Sequence, residues 1–420
     1  MAPSPSPAMT VPVLSQPFAE SSRGWIVVSA AFAITFVGFG SAYSFSAFMA
    51  PLAAEFGGSR ASISLVFSFA GFLYFGLGAI SGPLADHLGA RRFAIAGMAL
   101  LAAGLMLAGC ARSLGEVYLA YGLGVGGGIG LAYVPVLAAV QRWFVARRAL
   151  ASGIAVSGIG VGTLVVAPLA ALSVEQFGWR PTFWILGVGA AIVGVGMALL
   201  VRDAPRDATA NAHDRDASLR TMVLTPTFLR LYLACLACGL GTFIPFVHLV
   251  PYAQDHGMTA SGAAALIALI GAGSTAGRFL LGGVADRIGR DRFLVATYIA
   301  MALSMGLWVS ASSSIGLIIF AVFYGIFYGG WVAVLPSVVA DRFGTAKLSG
   351  VIGLLYTSVA IGTLVGPVAA GLLFDATQSY HLAIVACLGA NLMAAAIAAF
   401  DNFRSSPGPD LPNMSTTVDS

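Results

Sequence analysis

Long apolar stretches, separated by short polar breaks, set the pattern of this chain. Twelve are long enough to cross a bilayer: 24–49, 61–84, 93–110, 116–140, 149–172, 181–201, 227–252, 260–284, 293–311, 314–340, 347–372 and 379–400. A spanning helix needs about 20 apolar residues to cross roughly 30 Å of hydrocarbon. The pattern therefore predicts an all-α membrane protein with twelve transmembrane helices. Composition agrees, since 58% of the 420 residues are hydrophobic and only 9% are charged. A soluble domain carries about 25% charged residues. The 52 glycines suit closely packed membrane helices.

The first stretch is too long for a signal peptide, so residues 1–22, rich in Pro and Ser, read as a disordered tail. Cys110, Cys235, Cys238 and Cys387 lie in or beside apolar helices and read as small packing residues. The net charge of +4 is no sign of nucleic acid, because the basic residues fall in loops between spans.

Those loops predict an orientation. With the N-terminus in the cytoplasm, the even-numbered loops and the tails hold all of the 21 basic residues except Arg60, Arg112, Arg180 and Arg278. Cytoplasmic loops carry the excess of Lys and Arg. Both termini are thus expected inside, in the plasma (inner) membrane.

The chain also repeats itself. Gly82, Asp86, Gly89 and Arg92 join the second and third stretches. Gly282, Asp286, Gly289 and Arg292 join the eighth and ninth, each 200 residues later. Gly-Thr-Leu-Val occurs at 162–165 and 362–365, and Arg142 and Arg342 keep the same offset. The repeat predicts two pseudo-symmetric six-helix bundles at 23–201 and 226–400. A cytoplasmic linker at 202–225 joins them, and a tail at 401–420 follows. The G-x-x-x-D-x-x-G-x-R motif, present twice, resembles the signature of the major facilitator superfamily. The resemblance implies gating pairs at the cytoplasmic face, involving Asp86, Arg91, Arg92, Asp286, Arg290, Arg147 and Arg148. The plainer alternative is loop chemistry that fixes topology.

Residues Trp143 to Gly162 hold an aromatic pair, a basic pair, Leu-Ala-x-Gly-x-Ala and spaced glycines. This segment resembles the fifth-helix signature of the monocarboxylate porter family. Gly153, Gly158 and Gly162 are expected to form a thin packing face. Thr225 to Tyr232 is similar to the same family and its oxalate–formate antiporter relatives. The first stretch, with Arg23-Gly24-Trp25, departs from the animal members and favours the bacterial branch.

The candidate chemistry lies where the repeat fails. Arg278 sits inside the eighth stretch, and its counterpart in the first half is Gly78. An Arg in a membrane helix costs about 2.5–3.5 kcal/mol on insertion scales. It must face a polar cavity or a counter-charge, or snorkel to the interface. A guanidinium matches a carboxylate in bidentate fashion. The family resemblance likewise places a substrate-binding Arg in the eighth helix, and Ser274 stands where animal members often carry an Asp. His248 either takes part in substrate or proton binding or is hydrogen-bonded at the outer interface. Tyr133, Tyr324, Tyr328 and Trp331 are candidate cavity walls.

These features predict a secondary transporter of small monocarboxylates such as lactate or pyruvate, coupled to a proton and working as a monomer. Arg278, Ser274, His248, Tyr133, Tyr328 and Trp331 are the expected substrate site, with His248 and Arg278 as coupling candidates. An oxalate–formate or dicarboxylate exchanger is the alternative; a multidrug exporter or a membrane sensor fits less well. No phosphate-binding loop, catalytic cluster or metal-ligand spacing is evident, so neither an enzyme nor a cofactor is expected.

Overall fold

The computed structural model describes residues 22–144, 148–203, 222–311, 313–343 and 348–405. The expected tails at 1–21 and 406–420, the linker residues 204–221 and Arg147 lie outside the described residues. Helices account for nearly all of the rest, and no strand occurs among the described residues.

Twelve helices are long and apolar enough to span a membrane. In the first half they are α1 (Ser22–Phe56), α2 (Arg60–Ala85), α3 (Ala90–Gly109), α4 (Leu114–Trp143), α5 (Leu150–Phe177) and α6 (Trp179–Ala198). In the second they are α7 (Pro226–Asp255), α8 (Ala260–Leu280), α9 (Arg290–Ser310), α10 (Ser314–Phe343), α11 (Gly350–Thr377) and α12 (His381–Asp401). Large apolar side chains such as Leu107, Ile192, Leu303, Ile315 and Leu372 are exposed on the outside of the bundle. That is the surface hydrocarbon satisfies.

The local signals repeat with the sequence. Ser59 and Thr259 cap α2 and α8, each accepting a backbone N–H three residues on, at 3.2 Å. Such capping satisfies otherwise orphaned helix donors. Gly89 and Gly289 turn the chain after the short helical segments Gly78–Leu88 and Gly282–Ile288, with φ of 91° and 90°, a region glycine enters without strain. α1 tightens into a 3₁₀ turn at Ser44–Phe48, and α7 breaks at Phe243, the matching level.

Within the halves, α1 packs on α5 and α7 packs on α11. Gly158 and Gly162 make the α1–α5 contact possible. A Cβ at either would strike the backbone oxygen of Phe32 or Phe36. Gly153 is different, since a Cβ there would meet nothing within 4 Å. It is not part of the thin face the sequence suggested, because nine residues at about 3.6 per turn put it on the opposite side of α5 from Gly162.

Between the halves, two related interfaces carry most of the contact, α5 with α8 and α2 with α11. The end of the molecule nearest Ser22 and Asp401 is called the termini end below; the opposite end is the far end.

Candidate functional site

Arg278 comes from the last turn of α8 and is 8% exposed. One guanidinium nitrogen, Nη1, donates to the backbone oxygen of Val156 on α5 at 3.2 Å. Nε and Nη2 are buried and have no hydrogen-bond partner among the described residues. One turn earlier, the Oγ of Ser274 is buried and equally without a partner. Leaving such donors unmet in a dry interior costs free energy, so this corner is chemically incomplete without an acceptor.

Tyr328, Tyr133, Tyr43 and Tyr356 lie within electrostatic reach of the guanidinium. They come from α10, α4, α1 and α11, two from each half. All four also line a cavity shared with Phe39, Phe75, Ile159, Trp331, Val332, Leu335 and Val359. Tyr43 and Tyr328 touch across the halves, with hydroxyls 3.2 Å apart. The cavity is thus an apolar, aromatic space whose four tyrosines lie within electrostatic reach of Arg278, although Arg278 and Ser274 are not among its lining residues. Among the described residues, no buried acid stands nearby: the one described buried carboxylate, Asp401, pairs with Arg230 and Arg342 at the termini end.

The structure therefore brings together Arg278, Ser274, Tyr133, Tyr328 and Trp331, among the residues singled out from sequence. Tyr324 does not line the cavity; its hydroxyl donates to the backbone oxygen of Thr242. His248 is also elsewhere. It is fully buried toward the far end, where Nε2 and Nδ1 lie 2.8 Å from the oxygen of Pro367 and 3.0 Å from the hydroxyl of Tyr380. The sequence showed its helix but not which side of the helix break at Phe243 faces the cavity.

Tyr43 and Tyr356 were not anticipated. A signal existed for Tyr356, because its counterpart at the 200-residue offset is Val156. That is a second failure of the repeat beside Gly78 and Arg278.

At the termini end, the described ion pairs stay within one half. Arg290 reaches Asp286 at 3.3 Å and Asp341 on α10 at 2.9 Å. Arg342 binds Asp291 at 2.8 Å as well as Asp401. Arg142 lies 4.0 Å from Asp203, which also accepts from the backbone of Ala90. Arg91 and Arg92 are exposed. The side chains of Asp86 and Arg148 lie outside the described residues.

At the far end, by contrast, one arginine spans the halves. Arg60 of α2 pairs with Asp255 of α7 at 2.7 Å and donates to Tyr380 of α12 at 2.8 Å. Its guanidinium lies 3.9 Å from the Phe374 ring centroid. Asp375 of α11 accepts from the backbone nitrogens of Arg60 and Ala61, both at 3.1 Å. These contacts join the two halves at the far end.

Known proteins resemble this chain over most of its length. The family model described as Major Facilitator Superfamily matches residues 31–283 and 231–416. Monocarboxylate transporter 13 of Rattus norvegicus is 31% identical over 89% of this chain and 88% of its own. Monocarboxylate transporter 11 of Homo sapiens is 30% identical over 90% of this chain and 82% of its own. A solved structure, a bacterial homolog of the human lysosomal transporter Spinster in an inward-facing, unoccupied conformation, has a TM-score of 0.70 at 18% identity. It covers 94% of this chain and all of its own, and shares the fold. The twelve spans, the two-fold repeat and these matches lead to one conclusion: the chain belongs to the Major Facilitator Superfamily, is of its monocarboxylate transporter type, and is a multi-pass membrane transporter rather than an enzyme.

Proposed function

We propose that the protein is a secondary transporter of small monocarboxylates, coupled to a proton, that works by alternating access. The observation carrying this reading is Arg278, a buried cation with two unpartnered nitrogens beside an unpartnered Ser274 hydroxyl. A carboxylate is the natural complement: two oxygens accept from the planar guanidinium fork. The aromatic walls suit a short apolar tail, and the tyrosine hydroxyls suit an α-hydroxyl or keto group. The relatives named as monocarboxylate transporters support the same substrate class. A dianion would ask for a second cation, and among the described residues Arg278 is the one buried arginine or lysine.

The placement of the bonds supports alternating access. The bundles 23–201 and 226–400 rock about the α2–α11 and α5–α8 interfaces, with the site between them. Both termini face the cytoplasm, the membrane is the plasma (inner) membrane, and one chain is the working unit. The far end is then the outer side, closed by Arg60. The repeat loops, with Asp286 and Arg290 in one half, gate the inner side.

Uptake of radiolabelled lactate into vesicles, with and without a pH gradient, tests the reading. Arg278→Gln should remove uptake while the folded protein stays in the membrane. Normal uptake by that variant would overturn the anion site.

A further inference from the structure

The far-end contacts contain a buried histidine whose hydrogen-bond directions can be worked out. The Pro367 oxygen can only accept, so Nε2 of His248 carries the hydrogen. Arginine can only donate, so the Tyr380 oxygen accepts from Nη1 of Arg60. The Tyr380 hydrogen is then free to point at Nδ1 of His248, 3.0 Å away. Nδ1 can accept it only if the ring is neutral. The result is a one-way chain of donors, Arg60 to Tyr380 to His248 to Pro367, running from one half into the other. Ser64 of α2 donates to the same Pro367 oxygen at 3.2 Å, which ties the chain back to the first half.

A second proton would reverse one link. Nδ1–H would donate to Tyr380, whose oxygen would then take hydrogens from two cations while its own hydrogen lost its acceptor. The charged groups within electrostatic reach of the ring are Arg60 of α2 and Asp375 of α11. Asp375 is occupied by the backbone of Arg60 and Ala61, and Asp255, on the same helix as His248, by the Arg60 guanidinium. Tyr252, also on that helix, meets Tyr380 edge-on through its ring. None of these groups touches an imidazolium. A charged ring is therefore costly in the closed, dry arrangement. Opening the far end would admit water to solvate it.

We infer that His248 is a proton-binding site that works as the latch of the far end: neutral, it holds Arg60 through Tyr380; protonated, it releases Arg60 and the two halves part there. This rests on the transport reading above and names where its coupling proton acts. Proton binding and opening then favour each other, as linkage requires of two coupled equilibria. Coupling by a latch also explains how a cavity without a described acid can answer to protons.

The test needs no substrate. Spin labels are placed on exposed far-end positions of the two halves, Ala54→Cys and Ser261→Cys, with Cys110→Ser to remove the exposed native thiol. Pulsed electron resonance then reads their separation in the full chain in lipid nanodiscs, at about pH 5.5 and about pH 8, either side of the ordinary histidine range. The otherwise unaltered chain should gain a longer-distance population in acid. His248→Gln should stay short at both values, because Gln can donate to Pro367 and accept from Tyr380 without titrating. Arg60→Ala should show the longer population at both. No acid-induced change in the otherwise unaltered chain would overturn the latch, and so would the same change in His248→Gln. Because lactate is absent, failure here leaves the Arg278 site untouched, and loss of that site leaves this result standing.

Discussion

The two interfaces between the halves are built from the same repeat and do different things. At mid-height they match. A Cβ on Gly271 of α8 would lie 2.9 Å from Thr163 of α5, and a Cβ on Gly71 of α2 would strike Thr363 of α11. These are the same pair of positions, 200 residues apart. Toward the termini end they diverge, with Arg278 beside Val156 on one side and Gly78 and Tyr356 at the corresponding positions of the other. Toward the far end they diverge again. Arg60 and Asp375 join α2 to α11, while the matching positions are Ala260 and Glu175. The acid Glu55 shows the same contrast. It pairs with Arg180 inside the first half, whereas its counterpart Asp255 pairs across the halves.

The lesson is one of placement. Close backbone approach occurs at both interfaces, where glycine leaves room for the facing helix. The buried arginine stands at one interface and the ion pair that crosses the halves at the other; a second buried charge would need its own partner. One interface holds Arg278; the other holds the contacts of Arg60 with Asp375.

This contrast can be broken in graded ways. Arg278→Gln should have the largest effect, weakening lactate binding by roughly 3 kcal/mol, about a hundredfold, since a buried charged contact is lost. Equilibrium binding to the purified protein would show it; an unchanged affinity would remove the charge from the α5–α8 side. Next come Gly71→Val and Gly271→Val. Each inserts atoms where Thr363 or Thr163 already sits, and overpacking costs about 1–3 kcal/mol. Thermal unfolding should fall by similar amounts in the two variants. A large drop in one alone would mean the mid-height symmetry is only apparent. Gly153→Ala, with open space around it, serves as the control and should change little.

Arg60→Ala should act more mildly, by about 1–2 kcal/mol, because its pair with Asp255 is partly exposed and its stacking on Phe374 adds a modest share. Its signature is a shift toward the far-open state with lactate affinity changed little. A collapse of affinity would instead place Arg60 in the substrate site. Tyr356→Phe should be the smallest, about 0.5–1 kcal/mol or a few-fold in affinity, since it deletes one hydroxyl at the cavity edge. If Tyr133→Phe and Tyr356→Phe do not differ in effect from Tyr252→Phe at the far end, the cavity tyrosines are walls only.

Much of the scaffold was open to reading from sequence. Span number followed from hydropathy, because hydrocarbon tolerates little charge. Arg278 stood out because its cost is intrinsic to its type and position. His248 was harder. Its helix was plain, but the break at Phe243 turns it toward Tyr380 and Pro367 rather than the cavity. Asp401 read as part of a tail, yet it is 1% exposed and binds two arginines, because the last helix continues through it to Ser405.

By itself, the sequence determined what the solvent demands: twelve apolar helices, short loops, an internal repeat and one costly cation. Those properties are local, and each is fixed by composition within a span or by an offset along the chain. The tertiary structure alone decided which tyrosines surround Arg278, that His248 meets Tyr380 and Pro367, and that Arg60 joins the halves. Such facts depend on which faces of helices distant in sequence meet. Hydrophobic pattern cannot specify them inside a membrane, where every face of a spanning helix is apolar and packing of small residues makes the choice.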